Sequence, residues 1–214
     1  MNETDKNLCM RAQKIIEVFD DVYKDADCTL DYESPLQLLI ATQLAAQCTD
    51  ARVNTVTPIL FEKYKTAEDF ANADIAELMD IIRPTGFFRN KAKNIIACCQ
   101  KIISEFGGEV PSEMEELTSL PGVGRKTANL LRGDYFKIPG IVVDTHAGRL
   151  SRRMGFTKNT DPYKVEKDLL KIIPKECQTS FCHQLVYHGR EYCMARKPNC
   201  GGCPVNSLCP KIGV

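Results

Sequence analysis

Apolar residues recur along most of this chain every three or four positions, which is the spacing of one face of an α-helix. Residues 91–106 follow this pattern, and Gly107 and Gly108 come directly after the last apolar position. Because two consecutive glycines rarely continue a helix, the pattern predicts a helix that ends there. The same spacing predicts a helix over residues 162–173, with an apolar face formed by Val165, Leu169, Leu170 and Ile173.

A third predicted helix, over residues 34–48, has a clear start signal. Ser34 can cap the first turn with its hydroxyl, and Pro35 fits the first helical position because its missing N–H would have no partner there. Short segments rich in glycine, proline and asparagine separate the helical stretches. Only residues 141–143, Ile-Val-Val, resemble a strand, and they are too few to build a sheet. We therefore predict an all-α fold without internal repeats.

The charges are distributed unevenly, although the formal net charge of the 214 residues is zero. Residues 1–120 contain 12 Lys and Arg against 21 Asp and Glu, whereas residues 121–214 contain 16 against 7. Such asymmetry is typical of a basic surface that faces phosphates and is held on a more acidic body. The alternative is that the two halves neutralise each other across an internal interface.

The start of the chain and its hydropathy bear on where the protein acts. Residues 1–6 are polar and mixed in charge, unlike a signal peptide. No apolar run approaches the ~20 residues needed to cross a bilayer. We expect a soluble, cytoplasmic protein that makes no membrane contact.

A glycine-containing turn is predicted between a short helix over 112–119 and a second helix that reaches about residue 132. The connecting residues 120–128 read Leu-Pro-Gly-Val-Gly-Arg-Lys-Thr-Ala. Gly122 and Gly124 allow a tight turn and a close approach to another molecule. The second helix would then present free N–H groups and its positive dipole end to a phosphate. A plain helix–helix turn explains the same sequence.

Two candidate catalytic side chains lie near predicted helix starts. Lys126 falls in the first turn of the second helix, where the helix end and the neighbouring Arg125 disfavour a protonated ammonium. This setting favours a lowered pKa for Lys126 and an amine that can act as a nucleophile. Asp144 ends the apolar run 141–143 just where another helix should begin. A solvated surface lysine and a simple N-cap aspartate are the alternative interpretations.

Four of the eleven cysteines are crowded near the C-terminus: Cys193, Cys200, Cys203 and Cys209. A disulfide framework fits poorly with the polar N-terminus, so the pattern predicts a metal site. Four thiolates suit either zinc or an iron–sulfur cluster, and the spacing alone does not decide between them. Arg196 and Lys197 lie between the first two of these cysteines. They would form a cationic tip there, or serve only the solubility of the surface.

Taken together, these motifs resemble those of the endonuclease III family, which belongs to the helix–hairpin–helix DNA glycosylase superfamily. The resemblance covers residues 34–209. It rests on the hairpin sequence 120–129, Val-Asp-Thr-His at 143–146, His-Gly-Arg at 188–190 and the spacing of the four cysteines. The combination is much more specific than any of these motifs alone.

The resemblance implies a two-lobed all-α protein that acts as a monomer on damaged double-stranded DNA. A six-helix barrel lobe over 28–138 would contain the helix–hairpin–helix motif. Residues 1–27 and 139–214 would form the second lobe, in which the four cysteines bind a [4Fe–4S] cluster. The hairpin residues that would hold a DNA phosphate are Leu120, Gly122 and Gly124.

The resemblance also assigns roles to single side chains. Lys126 matches the family's nucleophile, and Asp144 matches its catalytic carboxylate. Gln47 matches a glutamine that enters the duplex where the damaged base has left. Phe87 occupies a position where the family commonly has a leucine wedge, and an aromatic wedge also unstacks bases. His146 matches a position near the lesion, although a local hydrogen bond at a helix start explains it equally well.

The activity implied is that of a bifunctional DNA glycosylase and AP lyase in base excision repair. It excises oxidised pyrimidines through a lysine Schiff base and β-elimination, while Arg196 and Lys197 contact DNA phosphates. One alternative is a monofunctional mismatch glycosylase, but such relatives commonly replace the lysine that is present here as Lys126. The other is a non-enzymatic DNA-binding or redox-sensing cluster protein, which Lys126 and Asp144 disfavour.

Overall fold

The computed structural model describes residues 5–214, and every regular element in this part of the chain is helical. The all-α prediction is therefore confirmed. Residues 141–143 lie in an irregular segment that pairs with no strand among the described residues. Residues 1–4, part of the polar N-terminal segment interpreted above, lie outside the described residues.

The described residues form twelve α-helices and two short 3₁₀ turns, Arg83–Thr85 and Lys175–Cys177. In chain order, the α-helices are α1 (Asp5–Val22), α2 (Pro35–Leu44), α3 (Asp50–Asn54), α4 (Thr57–Lys63), α5 (Ala67–Ala71), α6 (Ile75–Ile82), α7 (Phe88–Phe106), α8 (Met114–Ser119), α9 (Arg125–Asp134), α10 (Thr145–Arg153), α11 (Pro162–Ile172) and α12 (Gln178–Glu191). No helix in the described range is both long and apolar enough to cross a membrane.

Helix boundaries follow local chemistry at several predicted positions. The Ser34 hydroxyl accepts a hydrogen bond from the Gln37 N–H at 3.2 Å, and Pro35 begins α2, as predicted. Gly107 ends α7 with a φ of 64°, a left-handed conformation that a glycine adopts without steric cost. The predicted helix over 34–48 extends too far, because α2 ends at Leu44 and Gln47 has a φ of 54°. The end of α2 at Leu44 therefore places Gln47 outside the helix.

The chain divides into two compact units, of which one is the contiguous segment Cys28–Ile138. Six of its helices have six or more residues, and α3 and α5 are single turns of five. The long helix α7 packs against α5, α6 and α2, while α9 packs against α2 and α8. The largest fully buried side chains of its core are Leu38, Leu39, Ile40, Leu44, Leu60, Phe70, Leu78, Ile82 and Ile95. This core supports the hairpin between α8 and α9.

The other unit combines α1 with Pro139–Val214 and is therefore discontinuous in sequence. Helix α12 packs against α10 and α1, and α11 packs against α1 and α10. Phe19 of α1 and Phe181 of α12 stack in its centre with their ring centroids 6.0 Å apart. Other buried members of this core include Ile15, Leu150, Val165, Leu169 and Leu185. The core holds α10 and the cysteine-containing segment in place.

Candidate functional site

The predicted hairpin joins α8 to α9 through residues 120–124. Its turn is closed by a hydrogen bond from the Val123 N–H to the Leu120 carbonyl at 3.1 Å. Gly122 has a φ of 77°, and a Cβ atom there would lie 2.9 Å from Gln43 Oε1 and 3.0 Å from Asn94 Cβ. Conformation and space thus both require glycine at this position. Gly124 is the N-cap of α9, and it has no side chain that could accept hydrogen bonds from the first N–H groups of the helix. These N–H groups can therefore face a phosphate.

Lys126 is the second residue of α9 and its side chain is exposed. Its position in the first turn agrees with the prediction from the hairpin sequence. The side chain is therefore accessible to solvent at the N-terminal end of α9.

Asp144 is the N-cap of α10, and its side chain is held from two sides. Its Oδ1 atom accepts a hydrogen bond from the Ala147 N–H at 2.7 Å, and its Oδ2 atom lies 3.3 Å from His146 Nδ1. The Asp144 side chain is 20 % exposed. The N-cap interpretation and a role as a fixed negative charge are therefore compatible, because the capping bond orients the carboxylate without burying it.

His146 owes its position to a close approach by α12. A Cβ atom at Gly189 would lie only 2.6 Å from His146 Cδ2 and 3.0 Å from Arg149 Nη2. Any larger residue at Gly189 would displace the imidazole from Asp144. The His-Gly-Arg motif noted in the sequence thus contains a glycine that makes room for the Asp144–His146 pair.

Gln47 and Phe87 are exposed residues in unusual backbone conformations. Gln47 follows α2 with a φ of 54°, and Phe87 precedes α7 with a φ of 48°. The Phe87 side chain is 63 % exposed. Residues other than glycine seldom adopt positive φ values, and such strain is characteristic of functional positions. Both residues lie in the Cys28–Ile138 unit.

Lys91 was not predicted from the sequence to be a buried or functional residue. It lies in the first turn of α7, is only 6 % exposed, and its Nζ atom donates to the Leu44 carbonyl at 2.7 Å and the Thr85 carbonyl at 2.8 Å. Burial lowers the pKa of Lys91. The signal was present in the sequence, because Lys91 precedes buried Ile95 by four residues and therefore shares the apolar face of the helix.

The four C-terminal cysteines line one pocket, together with Arg153 and His188. None of the eleven cysteines forms a disulfide. Burial raises the pKa of the Cys203 and Cys209 thiols, so their thiolate forms need the compensation that bound metal provides. Four sulfur ligands around one cavity fit an iron–sulfur cluster.

Hydrogen-bond donors surround these sulfur atoms. The Lys211 N–H lies 3.4 Å from Cys209 Sγ, and Arg153 Nη1 lies 3.4 Å from Cys193 Sγ. Buried His188 places Nε2 3.5 Å from Cys203 Sγ and Nδ1 3.0 Å from Tyr23 Oη. The backbone N–H of Lys211 and the Arg153 guanidinium are donors of the kind that stabilises thiolate ligands.

Two arginines of α10, for which the sequence predicted no role, bind the start of the cysteine segment. Arg153 donates to the Met194 carbonyl at 2.7 Å and to the Ala195 carbonyl at 3.0 Å. Arg149 donates to the Cys193 carbonyl at 3.0 Å. Their i, i+4 spacing places both on one face of the helix. The exposed residues directly after this segment are Arg196 and Lys197, so the predicted cationic tip begins at an anchored backbone.

Comparisons with known families define the class of this protein. Residues 40–175 match the HhH-GPD superfamily of base excision DNA repair proteins. Residues 193–209, from the first to the last of the four cysteines, match the iron–sulfur binding domain of endonuclease III. The helical fold, the hairpin and the cysteine cavity are thus those of a base excision DNA repair protein with an iron–sulfur domain.

Similar proteins narrow the class to one family. Endonuclease III of Synechocystis sp. is 53 % identical over 94 % of this chain and 92 % of its own length. Endonuclease III of Bacillus subtilis is 46 % identical over 88 % and 87 %. A solved structure of a trapped endonuclease III–DNA covalent intermediate has a TM-score of 0.90 at 43 % identity, covering 98 % of this chain and 97 % of that chain. The chain belongs to the endonuclease III family.

Family membership confirms several predictions from the sequence. The protein is a DNA glycosylase and AP lyase of base excision repair, it binds DNA, and its cofactor is a [4Fe–4S] cluster. The choice between zinc and iron, which the cysteine spacing left open, is thereby decided. The non-enzymatic alternative is disfavoured for the same reason.

Proposed function

We propose that this protein excises oxidised pyrimidines from damaged duplex DNA and then cuts the strand, with Lys126 as the nucleophile. The observation that carries this proposal is the exposed Lys126 amine in the first turn of α9, next to the glycine turn. Oxidised pyrimidines such as thymine glycol have lost ring planarity and stack poorly. They are therefore among the bases that leave the duplex at least cost.

The proposed chemistry uses Lys126 and Asp144 in two stages. The neutral Lys126 amine attacks the sugar C1′ atom, and the bond from C1′ to the base breaks with its electron pair leaving on the base. Asp144 assists proton removal from the amine. The C1′–O4′ bond then breaks with its electron pair going to O4′, which takes up a proton, and Asp144 stabilises positive charge on the opened sugar. The resulting iminium makes the 2′ proton acidic, so its removal expels the 3′ phosphate by β-elimination. Hydrolysis of the imine then regenerates the lysine.

The DNA contacts proposed for the remaining residues divide into two kinds. The backbone around Leu120, Gly122 and Gly124 binds a phosphate, and the tip residues Arg196 and Lys197 add further phosphate contacts. Gln47 and Phe87 enter the base stack at the lesion, and His146 acts beside Asp144. Residues 28–138 thus form the helix–hairpin–helix lobe, and the other unit forms the cluster lobe.

The cluster has a structural role in this proposal. Cys193, Cys200, Cys203 and Cys209 would hold it, and bound iron would fix the path of the segment that carries Arg196 and Lys197. The chain would act as a monomer, in the cytoplasm, on nucleoid DNA.

Borohydride trapping tests the proposal directly. Wild type, Lys126→Ala and the control Lys158→Ala, which removes another exposed lysine, are each incubated with a duplex that carries one thymine glycol. Borohydride reduces a Schiff base to a stable covalent bond. Wild type and Lys158→Ala should give a covalent protein–DNA band, and Lys126→Ala should give none.

The remaining outcomes separate the alternatives. An uncut strand that breaks only after alkali treatment would identify a monofunctional glycosylase. A DNA complex with neither cleavage nor alkali-sensitive sites would contradict base excision on this lesion. A covalent band from Lys126→Ala would assign the nucleophile to another amine.

A further inference from the structure

Lys91 is a buried ammonium group that no part of the proposed chemistry uses. It is 6 % exposed, and it has no carboxylate partner among the described residues. Burying a charge without a counter-charge is costly, and a methionine could fill a similar apolar volume without that cost. A lysine at this site is therefore best explained by the two carbonyl groups that it binds.

The first of these carbonyls belongs to Leu44, the last residue of α2. Carbonyl groups at a helix C-terminus lack partners within the helix and lie at the negative end of its dipole, so an ammonium there is favourable. Gln47 follows Leu44 by three residues, in a left-handed conformation. The Lys91 side chain thus caps the helix end from which the Gln47 turn departs.

The second carbonyl belongs to Thr85, two residues before Phe87. Lys91 also donates its backbone N–H to the Phe87 carbonyl at 3.1 Å. Lys91 therefore binds two carbonyl groups of this turn, that of Thr85 through its side chain and that of Phe87 through its backbone. The Phe87 side chain is 63 % exposed, so its backbone largely sets its direction.

We infer that Lys91 is a positioning residue that ties the Gln47 turn and the Phe87 turn to one anchor and so fixes the two side chains for joint entry into the duplex. The inference rests on the duplex-probing roles proposed for Gln47 and Phe87. Both residues would act at the same lesion, where small displacements change the rate strongly. An ammonium with three donors can bind carbonyls of two turns at once, which a neutral apolar side chain cannot do.

The test compares Lys91→Met with Lys93→Met, which removes an exposed lysine from the same helix. The probe is a duplex with an abasic-site analogue and 2-aminopurine as the opposite base, whose fluorescence rises on unstacking. Wild type and Lys93→Met should raise the fluorescence, and Lys91→Met should lose most of that rise. Single-turnover excision of thymine glycol by Lys91→Met should fall by about 10- to 100-fold. Affinity for undamaged duplex should stay within about twofold, because phosphate contacts are made elsewhere.

Hydrogen–deuterium exchange distinguishes positioning from a general loss of stability. In Lys91→Met, exchange should accelerate at 45–48 and 84–88 together, while the interior of α7 remains protected. If Lys91→Met does not fold, Lys91→Arg keeps the charge but changes the donor geometry. It should show wild-type helix content and a partial loss of the fluorescence rise. Unchanged exchange in both turns would overturn the inference.

Gln47→Ala and Phe87→Ala separate this inference from the proposed function. If wild type produces no fluorescence rise, or if both of these variants retain it, the proposed probing roles fail and the role of Lys91 fails with them. If both variants lose the rise while Lys91→Met keeps the wild-type signal and rate, the probing roles stand and Lys91 is not their anchor.

Discussion

Replacing Gly122 with alanine should destabilise the Cys28–Ile138 unit, and the matched replacement of Gly124 should do so far less. Gly122 has a φ of 77°, and an added Cβ would meet Gln43 Oε1 at 2.9 Å and Asn94 Cβ at 3.0 Å. The left-handed conformation costs a residue with a Cβ roughly 1–2 kcal/mol. Overpacking adds about 1–3 kcal/mol, because the Asn94 Cβ atom is close to its backbone and cannot rotate away. The expected total is therefore about 2–5 kcal/mol.

Gly124 provides the control because it lies in the same hairpin without either constraint. Its φ is −95°, and nothing lies within 4 Å of the position of an added Cβ. Alanine is a poorer N-cap than glycine, but it also reduces the entropy of the unfolded chain, so the net change should stay within about 1 kcal/mol.

Equilibrium unfolding in urea, followed by circular dichroism, measures both variants. Thermal unfolding gives a second estimate, since a loss of 2–5 kcal/mol lowers the Tm of a chain this size by roughly 4–20 °C. Equal stabilities of Gly122→Ala and Gly124→Ala would refute the geometry of the hairpin. A large loss of stability in Gly124→Ala alone would show that the sterically restricted glycine is Gly124 and not Gly122.

Three further perturbations test the cluster lobe. Arg153→Met removes the donors to the Met194 and Ala195 carbonyls. Iron release to a chelator, followed by visible absorbance, should therefore be faster than in wild type. An unchanged rate would show that the arginine does not anchor this segment. Lys197→Glu should weaken binding to all duplex sequences alike and lower the magnitude of the slope of log affinity against log salt by about one or more. Unchanged affinity and slope would show that Arg196 and Lys197 do not contact DNA. The Thr157 hydroxyl and the Asn159 amide lower the pKa of Asp168, so its contribution to stability is present above the unfolded pKa and is lost as pH falls through the folded pKa. Asp168→Asn should therefore lose less stability than wild type on acidification below about pH 4, and parallel pH profiles of the unfolding free energy would contradict this.

The sequence predicts helix boundaries well where the signal is local. Ser34 with Pro35 starts α2, Gly107 ends α7 and Asp144 caps α10, each through groups within a few residues. The end of α2 was predicted four residues too late. The Leu44 carbonyl is bound by Lys91, 47 residues away, and no local pattern reveals such a contact.

The residues of the candidate site likewise could be predicted where the signal is local and not where it is distant. Lys126, Asp144 and the four cysteines lie in motifs whose spacing can be read directly. Lys91 was overlooked because a charged residue is assigned to the surface by default, although its spacing placed it on the apolar face. The roles of the two α10 arginines could not be predicted either, because their acceptors are backbone carbonyls 40 or more residues away. The roles of these charged residues therefore depend on burial and on distant hydrogen-bond acceptors, which the periodicity of the sequence does not reveal.

The discontinuous unit has a consequence for how the chain is made on the ribosome. Helix α1 is synthesised first, but its partner α12 follows only after residues 23–177. At ordinary elongation rates this is a delay of roughly 8–30 s. During that time the contiguous segment Cys28–Ile138 can complete its own core, while the apolar face of α1, including Ile15 and Phe19, has no final partner. A nascent chain of this protein should thus bind chaperones through α1, and iron can be inserted only after synthesis has passed Cys209.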